Sequence, residues 1–321
     1  MKIKCKMFEE SSASESPKNI FAILGIFIAV FLTAAFLESV VPTVIMMPAL
    51  IERLQAEGFK GKITINSEYM DRVMKLSREI MSNPKYFSII LICNIFMIIS
   101  PIIYCRFAEK RSLSSMGFRK KKSAVHYLTG LFAGTFMMTA DVLVSLAFGA
   151  YDIGLFAGTS VKFIIIFFIG FLIQGMAEEV MFRGYLMNTI GGKVSALSAI
   201  LISAAAFSLA HAANNGVNPL VFFNIALFGV FAGLYMIAYD DIWGACAIHS
   251  TWNFFQGNFY GIQVSGTDVS NSVFTLSQKS DNTILTGGAF GIEGSISTTI
   301  ILFIASAVMI IKLFRDGKIL R

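Results

Sequence analysis

The sequence predicts an all-α fold, a polytopic membrane helix bundle of about eight transmembrane helices. Three observations carry this expectation. The chain is 55% hydrophobic and only 14% charged, with a mean hydropathy of +0.70, whereas soluble domains carry about 25% charged residues. Its apolar residues gather into runs of about 20, the length that crosses a hydrocarbon core. The 321 residues then hold roughly eight such runs with their loops. We expect residues 1–321 to form a single polytopic domain in the lipid bilayer. The net charge of +6 argues for no nucleic-acid partner, because the basic residues fall at the chain ends and in two loops, as membrane topology requires.

The elements follow in order. The N-terminal stretch MKIKCKMFEESSASESPKN is polar for too long to be the n-region of a signal peptide. The apolar run after it is too long for an h-region, so span one, Ile20–Val41, is read as uncleaved. A mixed-charge segment, Ile51 to Lys85, has helical character around Glu68–Met81. Span two covers Tyr86–Tyr104 and leads into the basic connector RFAEKRSLSSMGFRKKK. Span three is Ala124–Phe148. Span four starts near Val161, and Gly191-Gly192 supply a turn. Spans five, six and seven are Val194–Ala212, Val217–Tyr239 and Ile242–Phe259. A Gly/Ser/Thr/Asn-rich stretch, Gly261–Gly294, precedes span eight, Ser295–Phe314.

Lysine and arginine set the orientation. The connector Arg106–Lys122 carries seven and is expected in the cytoplasm. With eight spans both termini are then cytoplasmic, in a plasma membrane. The C-terminal KLFRDGKILR agrees, as does the single lysine of Gly261–Gly294. The first loop opposes this, since it also holds seven basic residues. The cysteines, Cys5, Cys93, Cys105 and Cys246, show neither CxxC spacing nor a paired framework, which argues against a disulfide scaffold or a zinc-thiolate site. Cys5 and Cys105 sit near membrane ends, where acylation is chemically available.

The candidate site begins with Glu178 and Glu179, inside the run FIIIFFIGFLIQGMAEEVMFRGYLM. A carboxylate in hydrocarbon costs several kcal/mol unless it is paired, protonated or beside water, so such a residue is read as functional. Glu179 and Arg183 are four apart with the acid first, the favourable order for a structural ion pair. Glu178 points elsewhere and is left for chemistry. His211 ends span five. His249 and Asn253 share a face of span seven. His126 is expected at the interface, and Asp141 and Asn224 as packing or cavity-lining groups. By helix rise, Glu178 and His211 lie roughly 20 and 28 Å from the Gly191-Gly192 turn, whereas His249 lies only roughly 12 Å into its span. Either span seven starts submerged or span four projects beyond the bilayer. A lone membrane histidine or asparagine is often interhelical glue. One unpaired acid, two histidines and an asparagine together supply a general base and polar stabilisers, and the same groups could hold a metal.

These residues resemble a family. EEVMFRG at 178–184 resembles the EExxxR motif of the CPBP family (CAAX proteases and bacteriocin-processing enzymes, also called Abi). FSLAH at 207–211 is similar to its FxxxH motif, and HSTWN at 249–253 to its HxxxN/D motif. LTGGAFGIEGS at 285–295 is similar to the stretch before the last span in many members. The resemblance places a catalytic core at 160–258, on spans four to seven. It implies endoproteolysis of a membrane-associated peptide or protein substrate, either CAAX-type prenylated or leader-bearing. In the glutamate reading, Glu178 activates a water held by His211, and His249 and Asn253 stabilise the oxyanion. In the metal reading, Glu178, His211 and His249 bind Zn2+, a donor set that suits zinc, although the helix-borne HExxH pattern is absent. Glutamate catalysis needs no cofactor. Two other classes stay open: a non-catalytic bacteriocin-immunity or scaffold protein, and a proton- or cation-coupled transporter.

Overall fold

The computed structural model describes residues 2–17, 19–59 and 66–320. A short helix, α1 (Lys6–Ser12), leads into α2 (Ile20–Ala56), α3 (Ser67–Met81) and α4 (Pro84–Ala108). Then come α5 (Ser123–Ala147), α6 (Val161–Gly191), α7 (Ala196–Ala210), α8 (Pro219–Tyr239), α9 (Trp243–Phe254) and α10 (Ile296–Arg315). Six of these, α2, α4, α5, α6, α8 and α10, are long and apolar enough to cross a membrane. The shorter apolar α7 and the 12-residue α9, extended by a π-helical turn over Phe255–Phe259, complete the bundle of about eight passes. The chain is an integral membrane protein.

Two small antiparallel ribbons mark the ends of the bundle. Strand β1 (Lys2–Ile3) pairs with β4 (Ile319–Leu320), Lys2 opposite Leu320, so both chain termini meet at one end. Strand β2 (Tyr151–Leu155) pairs with β3 (Phe274–Gln278), Tyr151 opposite Gln278 and Leu155 opposite Phe274. This second ribbon joins the segment after α5 to the Gly261–Gly294 stretch at the far end.

Helix α1 fastens the terminal end. The backbone N–H of Lys6 donates to Asp240 Oδ1 at 3.2 Å, and Glu10 accepts from Ser114 Oγ at 2.6 Å and pairs with Arg119. The Phe8 ring lies against Gly191, and the backbone of Ser11 and Ser12 lies against Gly192. A Cβ on either glycine would collide with them. These glycines are needed for close approach of α1, since neither has a positive φ.

Helix α2 is longer than span one predicts. It runs on through Pro42 and Pro48 to Ala56. Each proline removes one N–H from the ladder. Thr43 Oγ1 donates to the Ser39 carbonyl at 2.7 Å, and Ser39 Oγ to the Phe36 carbonyl at 2.9 Å. These hydroxyls add bonds beside the break, while the carbonyls that the prolines leave without a helical partner are those of Glu38 and Val44. Thirty-seven residues span about 55 Å at 1.5 Å per residue, far more than a hydrocarbon core of about 30 Å. The last turns of α2 project at the far end and meet amphipathic α3, where Arg53 pairs with Glu79 at 3.2 Å and Arg72 with Glu57. The interleaved charges of the first loop are therefore partly consumed between these two helices. Lys60 and Lys62 of that loop lie outside the described residues.

Small residues set the centre. Gly130 and Gly134 of α5 abut Gly244, Ala247, Ile248 and Thr251 of α9, and Gly175 of α6 abuts Ser250. Without a hydrophobic force between helices in lipid, close backbone approach is what holds them. Helix α9 is consequently buried from Gly244 to Phe254. The turn before it explains its depth. Ile242 N–H donates to the Gly117 carbonyl at 3.0 Å, and Ile242 lies against Gly184 of α6. Gly184 sits about 10 Å from Gly191 along the helix, so α9 starts submerged. His249 is then seven residues past Ile242 and Glu178 six residues before Gly184, which brings the two to one level.

All four cysteines are free and buried. Burial pushes the Cys5 thiol up to about 12, which makes it a poor nucleophile for acylation. Replacing Gly134 by Leu should separate α5 from α9, with an overpacking cost of about 1–3 kcal/mol. Thermal unfolding in detergent should show a clear fall in Tm, whereas Gly25→Ala, with nothing within 4 Å of the new Cβ, should leave Tm unchanged.

Candidate active site

Three helices bring the polar side chains to one place inside the bundle. Glu178 and Glu179 lie on α6, just before its π-helical turns over Val180–Met187. His211 is the C-cap residue of α7. His249 and Asn253 project together from α9. His249 Nε2 is 3.4 Å from Glu178 Oε2, and His211 Nε2 is 4.0 Å from the same oxygen. The imidazoles are aimed from behind. His211 Nδ1 donates to the Phe207 carbonyl at 2.9 Å, and His249 Nδ1 faces Glu179 Oε1 at 2.8 Å. A carbonyl only accepts, so the His211 proton sits on Nδ1, and neutral His211 presents the lone pair of Nε2 to Glu178.

Glu179 faces two nitrogen donors. Its Oε1 lies 3.2 Å from Arg183 Nη1 as well as 2.8 Å from His249 Nδ1, and both Glu179 and Arg183 have no solvent exposure. The guanidinium is held by charge and by the Phe207 ring, 4.2 Å from its Cζ. None of its nitrogens makes a well-aligned hydrogen bond. The helical spacing indicates the Glu179–Arg183 contact, but the His249 contact with Glu179 arises only from packing. Protonated His249 would balance the site, with Arg183 and His249 set against Glu178 and Glu179. Charge balance matters here because an uncompensated buried charge costs several kcal/mol.

A second set of groups orients Glu178. Gln174 Nε2 donates to Glu178 Oε1 at 2.8 Å, and Asn253 Nδ2 donates to Gln174 Oε1 at 2.8 Å. Glu178 Oε2 is left with no protein hydrogen bond. His211, His249 and Asn253 line a small cavity of about 10 Å³ with Phe228, Ser265 and Glu293. Glu293 is buried and accepts from Ser265 N–H at 2.8 Å and Gln256 Nε2 at 3.2 Å. Burial pushes its carboxyl above the usual range.

The sequence candidates do not include Gln174, Glu293 as a site residue, or Glu38. Glu38 carried a usable signal, an acid inside an apolar run. It lies half-buried on α2 within electrostatic reach of Glu178, in a groove between α2, α3 and α4. Gln174 has no charge and so no signal. The remaining polar groups have other partners. His126 contacts Asp241, Asp141 accepts from Ser297 and Thr298, and Asn224 Nδ2 donates to the Glu293 and Ser295 carbonyls at 2.8 Å.

The two histidine nitrogens and one carboxylate oxygen are zinc-type donors, and both imidazoles have the outer hydrogen-bond partners that metal-ligating histidines use. Among the described residues, however, no group of three His, Cys, Asp or Glu side chains is arranged to hold a metal ion. The set fits a metal in chemistry and not in spacing.

Fold and site together describe a polytopic helical membrane protein with a buried Glu/His centre. Residues 160–255 match the family model for type II CAAX prenyl endopeptidase Rce1-like proteins. Over that segment the chain is similar to Rce1-like CAAX endopeptidases. No curated protein matches the chain.

Glu179→Gln removes the shared counter-charge of Arg183 and His249. It should cost about 3–5 kcal/mol, the range for breaking a buried pair, and lower Tm strongly in detergent. Glu178→Gln keeps its bond from Gln174 and should leave Tm near wild type. A larger Tm loss for Glu178→Gln would reverse these roles.

Proposed function

We propose that this chain is an intramembrane endopeptidase of the CAAX type, acting on a membrane-associated peptide or protein through a water activated by Glu178. The observation that carries the reading is the convergence of Glu178 Oε2, His211 Nε2 and His249 Nε2 within 4.0 Å. Two of these groups, neutral His211 and ionised Glu178, are acceptors. A water between them can donate one hydrogen to each and keep a lone pair for a carbonyl carbon. Glu178 takes the proton as general base and returns it to the leaving amine. Gln174, fixed by Asn253, holds the carboxylate in its reactive rotamer.

Oxyanion stabilisation falls to the α9 face. With Nδ1 held by Glu179, protonated His249 directs an Nε2–H into the cavity, and the Asn253 amide is its neighbour. A preorganised donor in a dry site is worth roughly a hundredfold or more in rate. Glu293 acts behind the histidines as a positioning residue, through Ser265 and Gln256. The catalytic core we assign therefore extends beyond 160–258 to include Glu293. Because the donor spacing does not suit a metal, no step is routed through one.

The transporter reading predicts titratable groups spread across the membrane. Here Glu178, Glu179, Arg183, His211 and His249 are in mutual contact and Glu293 lines the same cavity, with Glu38 and Asp141 outside the cluster, and this concentration favours hydrolysis. The immunity or scaffold reading is separated from it by activity alone. Proteomics of N-terminal and C-terminal peptides, in cells with wild type and with Glu178→Gln, should reveal termini present only with the wild type. Identical terminal peptides in both would remove the protease reading.

Two further outcomes test the chemistry. His249→Ala and Asn253→Ala should each slow turnover by about a hundredfold or more, and the double variant should be little worse than the worse single, since groups serving one transition-state atom are non-additive. Full multiplication of the two losses would assign them separate tasks. Purified active protein should also contain no stoichiometric zinc and keep its rate in chelator. Zinc near one per chain, lost and regained together with activity, would replace the glutamate mechanism by the metal one.

A further inference from the structure

Between Ile20 and Ile51 of α2 the only ionisable side chain is Glu38, and the chemistry above does not use it. Buried residues of α2 recur at Ile23, Phe27, Val30 and Ala34, and this stripe faces α6. Phe27 and Phe31 both meet the Phe182 ring, at 5.6 and 5.9 Å between centroids. The two helices run antiparallel. Glu38 continues the stripe four residues after Ala34, about 10 Å beyond Phe31 along α2. Glu178 lies about 6 Å from Phe182 in the same direction along α6. The stripe therefore carries Glu38 just past the level of Glu178, within reach of its charge.

There the stripe borders a groove of about 340 Å³ between α2, α3 and α4, inside the size range of ligand sites, about 300–1,000 Å³. Pro42, Met46, Met47, Ile80 and Met81 give it an apolar wall. Methionine is unbranched and adapts to irregular apolar occupants. Glu38 is the one ionisable group that lines it. Among the described residues no cation or hydrogen-bond donor meets the Glu38 carboxylate, and the charge that acts on it is that of Glu178, of its own sign. The Glu38 carbonyl is open as well, because Pro42 has no N–H to give it. Ser39 and Thr43, also at the groove, donate their hydroxyls to the Phe36 and Ser39 carbonyls. An unpartnered acid in apolar surroundings is costly, and so is a lysine or arginine. A cationic side chain on an apolar segment removes both costs at once.

We propose that the groove between α2, α3 and α4 is a substrate subsite beside Glu178, and that Glu38 in it selects a peptide carrying a Lys or Arg side chain in an otherwise apolar segment. This assignment presupposes the proposed proteolysis and narrows its substrate class. Glu38 does not touch the reacting atoms and is a specificity residue. An extended peptide advances about 3.3 Å per residue, so the basic residue falls within about three positions of the bond that Glu178 attacks. An acidic residue there is repelled by both Glu38 and Glu178.

Binding tests this apart from turnover. Full-length Glu178→Gln protein in detergent is mixed with short fluorescent Leu/Ala peptides that differ in one central residue, Lys, norleucine or Glu, and Kd is read from anisotropy. The Lys peptide should bind at least about tenfold more tightly than the norleucine peptide, the scale of one charge-assisted hydrogen bond. The Glu peptide should bind more weakly than either. Adding Glu38→Gln should abolish the Lys preference, and Glu38→Lys should transfer it to the Glu peptide. Met47→Trp, which fills the groove, should weaken the Lys peptide. Equal binding of the Lys and norleucine peptides, or a Lys preference that survives Glu38→Gln, overturns the proposal. Displacement of the Lys peptide by phosphatidylethanolamine but not by phosphatidylcholine gives the groove to a lipid amine and overturns it too. Failure of the proteolysis itself would appear elsewhere, as terminal peptides in cells unaffected by Glu178→Gln while the Lys preference stands.

Discussion

The structure depends on one carboxylate. Glu179 has no solvent exposure, and a single oxygen faces both Arg183 and His249. In a low-dielectric interior the Arg183 charge is not tolerable without it. This contact fixes more than charge. It holds α9 against α6 at the depth where His249 meets Glu178, and it sets which imidazole nitrogen faces the cavity. The ion pair that helix periodicity marks as structural is therefore also the element that orients His249.

The packing around this centre follows from the lipid environment. Helix α9 could not reach Glu179 if its neighbours carried large side chains at the crossing. Gly130, Gly134 and Gly175 allow the approach, and the submerged turn at Ile242 shortens the path of α9 through the membrane. A short helix buried on all sides is costly for an isolated span. It is stable here because α5, α6 and α8 cover it and the connector dips beneath its start. The Gly261–Gly294 stretch closes the other end, where Glu293 collects hydrogen bonds from Ser265 and Gln256.

Orientation of Glu178 is built from neutral groups. A chain of amides runs from Asn253 through Gln174 to the carboxylate. Amides fix a rotamer without adding charge to a site whose formal charges already balance. The arrangement leaves Glu178 Oε2 as the unengaged oxygen, turned towards the two histidines. One oxygen of the side chain is thus braced by Gln174 and the other is left open.

Much of this was legible in the sequence. Apolar runs of membrane length located the helices, although α2 continues past Val41 through Pro42 and Pro48 to Ala56. The acid pair, both histidines and Asn253 stood out because ionisable and amide groups in hydrocarbon are costly, and period alone separated Glu178 from Glu179. Contacts between helices had no such signature. Nothing linear says that His249 leans on Glu179, that Gln174 braces Glu178, that Glu293 backs the histidines, or that α9 starts below the membrane surface. Those facts depend on how closely backbones approach, and that is decided by glycines and turns acting together across the bundle. The sequence determined which groups had to find partners, because burial without partners is expensive. Only the tertiary structure decided which partners they found, because distance between helices is a property of packing.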